Sequence, residues 1–124
     1  MASKSVKRFR TALKAAGLDD TIVAVADSTR TAVEAAAALG CEVGQIVKSL
    51  VFTDDDHRPL LVLAAGDVRV DPERVAVQHG APVTLADAAS VRAATGYAIG
   101  GVPPFGHVQT LATLMDVSLE RWDT

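Results

Sequence analysis

The sequence predicts an α/β fold, a mixed β-sheet surrounded by helices, and three observations carry that prediction. Short runs rich in β-branched and apolar residues alternate along the chain with segments that have helical period and helix-end signals. Two of the runs flank a short acidic turn and read as a hairpin, whereas the others need crossovers, so strand directions must be mixed. With 124 residues and 49% hydrophobic content the chain has the apolar surface for one core, and residues 1–124 read as a single domain.

Each element follows from local signals. In the opening segment Val6, Phe9, Leu13 and Ala16 share one helical stripe while Lys7, Arg10 and Lys14 share another. That is a helix with one face to bury and one basic face, closed by Gly17. "TIVAVA", Thr21 to Ala26, is short and β-branched and reads as a strand, broken by Asp27-Ser28-Thr29-Arg30. Thr31 with Glu34 is a capping box opening a helix that ends at Gly40. Gln45 to Phe52 and Pro59 to Gly66 are the hairpin strands. Asp71 as N-cap and Pro72 at the first helical position begin a third helix that stops at Gly80. Pro82 to Leu85 reads as a short strand, and "ADAASVRAATG" as a fourth helix ending at Gly96.

Composition excludes several classes. No apolar stretch approaches the roughly 18 residues of a membrane span, and no secretory signal opens the chain, so the expectation is a cytoplasmic protein without a membrane partner. Cys41 stands alone and His57, His79 and His107 lack zinc spacing, so neither a metal nor a cofactor is expected. A net charge of -3 argues against binding nucleic acid through bulk charge. Yet Lys4, Lys7, Arg8, Arg10 and Lys14 all precede the first acid, Asp19, as either a solvated helix face or a surface for phosphates.

Two features resist a purely structural reading. Lys48 is the lone charge in the apolar strand "IVKSLVF", where alternation places it with Ile46, Leu50 and Phe52 and sets Ser49 with Val47 and Val51. Such a lysine is an edge gatekeeper, a snorkelling side chain, or a cation in a cleft that polarises a carbonyl or holds an anion. The segment "GGVPPFGH", Gly100 to His107, joins backbone that can approach a ligand closely, two prolines that stiffen it, and a histidine that exchanges protons near neutral pH. A rigid structural turn is the competing reading. Asp67, Arg69 and Asp71 read as a surface ion pair and a helix cap.

Taken together, "STRTAVEAA", "GCEVGQIVKSLVF", "LVLAAGDVRVD" and "TGYAIGGVPPFGH" resemble, in this order and spacing, the YbaK/ProX family of aminoacyl-tRNA editing domains. The resemblance runs from about Ser28 to Asp116 and implies a trans-acting deacylase related to the editing domain inserted in bacterial prolyl-tRNA synthetases. It implies an aminoacyl-tRNA acceptor end as substrate, proline tRNA carrying cysteine or alanine above all, and prolyl-tRNA synthetase as a second partner. At matching positions it implies that Lys48 contacts the 3′-terminal part of the substrate, that Gly100 and Gly101 lie beside the reacting carbonyl, and that His107 closes their loop. It also implies substrate-lining roles for Thr29, Arg30, Ser49 and Asp116. Alanine-specific members tend to carry Asn where this chain has Ser49. Members usually continue past Trp122 with a strand and a helix, so this chain reads as shortened at its C-terminal end, leaving monomer and homodimer both open. A module that binds tRNA or a synthetase without turnover is the alternative.

Overall fold

The computed structural model describes residues 4–24 and 31–124. Its elements are α1 (Lys4–Ala15), α2 (Ala32–Leu39), β1 (Val47–Asp54), β2 (Pro59–Ala65), α3 (Pro72–His79), β3 (Val83–Leu85), α4 (Ala88–Thr95) and β4 (Ala112–Met115), with short 3₁₀ turns at Val43–Gln45 and Val117–Arg121. The sheet order is β3-β1-β2-β4. β1 runs antiparallel to both β2 and β3, and β2 runs parallel to β4, so the sheet is mixed as the alternation of elements predicts.

Helix ends fall where the side chains dictate. Thr31 accepts from Glu34 N–H, Asp71 from Glu73 N–H and Asp87 from Ser90 N–H, satisfying donors that a first helical turn leaves free. Gly40, Gly80 and Gly96 end α2, α3 and α4 in the left-handed conformation.

The sheet is buried on both faces. Val51, Leu61 and Leu63 pack with Val91 and Ala94 of α4 on one side, and Phe52, Leu60 and Val62 pack with Val75 of α3 on the other. Phe52, Leu60 and Leu61 are each at most 2% exposed, which stabilises the fold by roughly 2 to 3 kcal/mol per side chain before chain entropy is counted. Burial on both faces explains why β2 reads as one continuous apolar run.

Two expectations need correction. Thr21–Ala24 form no strand, and the remainder of that run lies outside the described residues. Asp20 explains this locally: one carboxylate oxygen accepts Ile22 N–H at 3.0 Å while Arg10 Nε holds the other at 2.7 Å, so a donor that a ladder needs is already satisfied. The expected strand from Gln45 begins instead at Val47, because Val43–Gln45 form a 3₁₀ turn in which the side chains and backbone of Glu42 and Gln45 cap one another.

Candidate functional site

Strand register assembles the site. Lys48 lies opposite Ala64, and Asp116 N–H donates to Leu63 carbonyl at 2.8 Å, one residue beyond the pairing of Leu63 with Met115. The parallel register therefore carries Asp116 alongside Ala64, in a row Lys48, Ala64, Asp116 across three strands. Two strand spacings put the outer Cα atoms about 10 Å apart. Beside this row runs an apolar one, Leu50, Val62 and Leu114, and a cavity of about 990 Å³ opens over the sheet toward α3. Val62, Val68, Arg69, Arg74, Leu114 and Asp116 are among the residues lining it.

Charge around this cavity is unevenly satisfied. The Lys48 ammonium donates to the Val68 carbonyl, a neutral acceptor at the cavity wall. Asp67 pairs with Arg121 through two hydrogen bonds of 2.8 and 3.2 Å, and not with Arg69 as the sequence suggested. Those bonds hold the Asp67 carboxyl below its ordinary value, with Lys48 a smaller contributor. Asp116 Oδ1 accepts Ser118 N–H at 2.8 Å and caps the 3₁₀ turn Val117–Arg121. Hydrogen bonding from Ser118 lowers its pKa first, and the Arg121 and Arg74 charges add to that. Asp71 is likewise committed to capping α3. Among the described residues Arg69 and Arg74 form no ion pair, and neither does Glu73, so the cavity wall carries two cations without a paired carboxylate and one carboxylate without a paired cation, while Asp71 and Asp116 are occupied as caps.

The Gly100–His107 loop is built differently. Gly101 N–H donates to Ala98 carbonyl at 2.9 Å, and Val108 N–H closes the loop onto Thr95 carbonyl at 3.1 Å. His107 Nε2 lies 2.7 Å from Pro103 carbonyl; since a carbonyl only accepts, this nitrogen carries the proton. Tyr97, 2% exposed, donates its hydroxyl to Gly106 carbonyl at 3.3 Å and meets the His107 ring edge-on. Burial raises the Tyr97 pKa, keeping it a neutral donor. Gly100 and Gly106 both have positive φ, but only Gly106 is crowded: a Cβ there would stand 2.7 Å from Ala12 Cβ. A smaller cavity of about 250 Å³ separates α1 from this loop, with Phe9, Ile22, Tyr97 and Gly101 in its walls.

The residues singled out from sequence thus fall into two groups. Lys48 and Asp116 share one sheet face. Ser49 lies on the other, opposite Leu63, and Val102 of the glycine loop packs against the cluster on that same face. Among the described residues no hydrogen bond or ring contact joins Lys48 to Gly100, Gly101 or His107. Of the two glycines, Gly101 has its amide engaged within the loop itself, on the Ala98 carbonyl. Thr29 and Arg30 lie outside the described residues. Sequence reading passed over Arg74, Ala64 and Tyr97. Arg74 looks like any solvated helix charge, and only strand pairing reveals that Ala64 separates Lys48 from Asp116.

Among the described residues one group of carboxylates is close enough to hold a metal ion, Asp54, Asp55 and Asp56 in the hairpin turn. Asp54 is already occupied there, accepting from Asp56 and Arg58 N–H at 2.9 Å each and lying 3.1 Å from His79 Nε2. Among the described residues no helix is long and apolar enough to cross a membrane.

Comparison with known proteins places this geometry. YwhH of Bacillus subtilis (strain 168), itself uncharacterized, is 31% identical over 120 residues, covering 97% of this chain and 76% of that protein. A crystal structure of a candidate trans-editing enzyme for prolyl tRNA synthetase superposes with a TM-score of 0.92 at 42% identity, over 98% of this chain and 78% of that one. The crystal structure of hypothetical protein APE2540 superposes with a TM-score of 0.80 at 35% identity, over 88% and 73%. Residues 26–123 match the aminoacyl-tRNA editing domain, and the chain belongs to that family.

Proposed function

We propose that this protein is a trans-acting deacylase that hydrolyses the ester of mischarged aminoacyl-tRNA, with proline tRNA carrying cysteine or alanine as the substrates to try first. In this reaction water adds to the ester carbonyl, the acyl C–O bond breaks, and the proton lost by water ends on the terminal ribose oxygen. The protein must stabilise the oxyanion and hold the 3′ end. The observation that carries this reading is the Lys48 ammonium, the only cation in its strand, resting on a neutral carbonyl at the wall of the large cavity. Exchanging that carbonyl for a phosphate, or for the oxyanion that forms when water adds to the ester, strengthens the contact, because the new partner carries charge. Arg69 and Arg74 are placed to receive the phosphates.

A second reading, a module that binds the acceptor end without turnover, has one observation in its favour. Asp116 is committed to a cap and His107 to its own loop, so neither stands beside Lys48 as a free base. In the deacylase reading, water activation therefore rests on the substrate's own hydroxyl and phosphate groups.

The test is deacylation of proline, alanine and cysteine tRNAs charged with small amino acids, comparing wild type with Lys48→Ala and His107→Ala. Hydrolysis by the wild type that falls about 100-fold or more in Lys48→Ala supports the deacylase. Measurable tRNA binding with no hydrolysis of any substrate by the folded wild type replaces it with the module. Which amino acid is removed depends on differences of about 1 to 3 kcal/mol per methylene, so the panel must vary side-chain size in single steps.

A further inference from the structure

The charge of α1 is arranged against its own stability. Lys4, Lys7, Arg8, Arg10 and Lys14 lie in twelve residues without one acid, in a chain whose formal net charge is -3. With α1 at +5, the remaining residues stand at -8. Lys4, Lys7, Arg10 and Lys14 follow one another at spacings of three, three and four, so like charges are neighbours along a single face. The first of them oppose the positive end of the helix dipole. Among the described residues little relieves this. Arg10 is paired with Asp20, but among the described residues Lys4, Lys7 and Lys14 meet no carboxylate.

The opposite face of α1 is already occupied. Phe9 packs against Phe105 with ring centroids 5.2 Å apart, Leu13 is buried, and Ala12 abuts Gly106. Arg8 turns away from the basic face, donates to Gly96 carbonyl and lies 5.3 Å from the centre of the Tyr97 ring. A basic amphipathic helix that binds a bilayer inserts its apolar face, and here Phe9 and Ala12 of that face already pack against Phe105 and Gly106, Leu13 is buried, and Val6 borders the small cavity between helix and loop. The unmatched lysines therefore suit a ligand that takes charge from one side and demands no apolar insertion, which is the sugar-phosphate backbone of a nucleic acid.

We propose that the Lys4, Lys7 and Lys14 face of α1 docks the sugar-phosphate backbone of the tRNA stem. The choice of RNA rests on the deacylase reading; the unmatched charge and the occupied apolar face do not. A positive stripe on a protein of net negative charge orients the RNA, because its field draws phosphates toward that side. Through Phe105, Tyr97 and Gly96 the helix is mounted on the loop that borders the small cavity, so RNA seated on α1 has a fixed position relative to Gly101.

The test measures binding of uncharged tRNA by fluorescence anisotropy across a salt series, for wild type, Lys4→Gln/Lys7→Gln/Lys14→Gln, and the matching triple arginine variant. Expected is at least a tenfold loss of affinity in the glutamine variant, a salt slope shallower by about 2 to 3, and recovery in the arginine variant. Equal affinity and slope in the glutamine variant, with wild-type circular dichroism, overturns the proposal. Binding of wild type to vesicles of anionic phospholipid, lost in the glutamine variant while tRNA binding is unchanged, also overturns it in favour of a membrane surface. Weakened tRNA binding by the glutamine variant, in a protein whose wild type hydrolyses no aminoacyl-tRNA, keeps this surface and rejects the deacylase. Hydrolysis by wild type with unchanged affinity in the variant does the reverse.

Discussion

The two faces of the sheet have been finished in different ways. On the α4 face the glycine loop closes upon itself: His107 holds Pro103, Tyr97 holds Gly106, Val108 returns to Thr95, and Val102 seals the apolar cluster beneath. On the α3 face the apolar rows stop short, and Lys48 and Asp116 flank a small buried alanine at the edge of a large cavity. Polar groups on the first face are spent on one another. On the second, cations remain available. The difference teaches that the most conspicuous string in the sequence, "GGVPPFGH", is organised as a scaffold, whereas the cations outside ion pairs on the other side are Lys48, bonded to the Val68 carbonyl, and Arg69 and Arg74 of the cavity wall.

Matched substitutions break that comparison if it is wrong. The largest expected effect on stability is at the closed face, where Leu61→Ala removes a fully buried side chain and should cost about 3 kcal/mol in denaturant unfolding. Val77→Ala on the cavity side of α3, where the side chain is 79% exposed, should change stability by less than about 0.5 kcal/mol. The largest effect on rate should be the loss of about 100-fold in kcat/KM for Lys48→Ala, with the melting temperature nearly unchanged. His107→Ala should do the opposite. It should lower stability by about 1 kcal/mol through the lost hydrogen bond and reduce the deacylation rate less than tenfold. If His107→Ala instead abolishes hydrolysis at unchanged stability, the loop is catalytic and the contrast between the faces fails.

The smallest effect concerns pH. Asp54 lies below its ordinary value of 3.8, first because Arg58 N–H donates to it and then because of His79. A carboxyl lowered in the folded state contributes its full stability above the unfolded value and loses it as pH falls through the folded one. Unfolding followed from pH 5 to pH 2 should therefore show wild type losing stability more steeply than Asp54→Asn. Parallel curves would remove Asp54 from the account of acid sensitivity.

How much of this was legible in the sequence depends on the range of the interaction that decides each element. The caps at Thr31, Asp71 and the stops at Gly40, Gly80 and Gly96 are written within four residues, and all appear where the sequence puts them. The hairpin of β1 and β2 is nearly as local. β4 went unread because "ATLM" is an ordinary short run that becomes a strand only through pairing with β2, some fifty residues earlier. The run beginning at Thr21 failed for the opposite reason. Its composition suits a strand, yet Asp20 and Arg10 satisfy the local backbone first.

The candidate site divides along the same line. Sequence by itself determined that Lys48 would be a lone cation in an apolar strand, that the loop would be stiff, and that α1 would carry one basic face. Residue chemistry and helix or strand period suffice for each. Only the tertiary structure decided which of these features are neighbours. Register placed Asp116 two strands from Lys48 across Ala64, and sheet burial on both sides separated Lys48 from the glycines. The physical reason is that strand alternation assigns a side chain to one of two faces, while the elements covering those faces are chosen by packing between residues far apart in the chain.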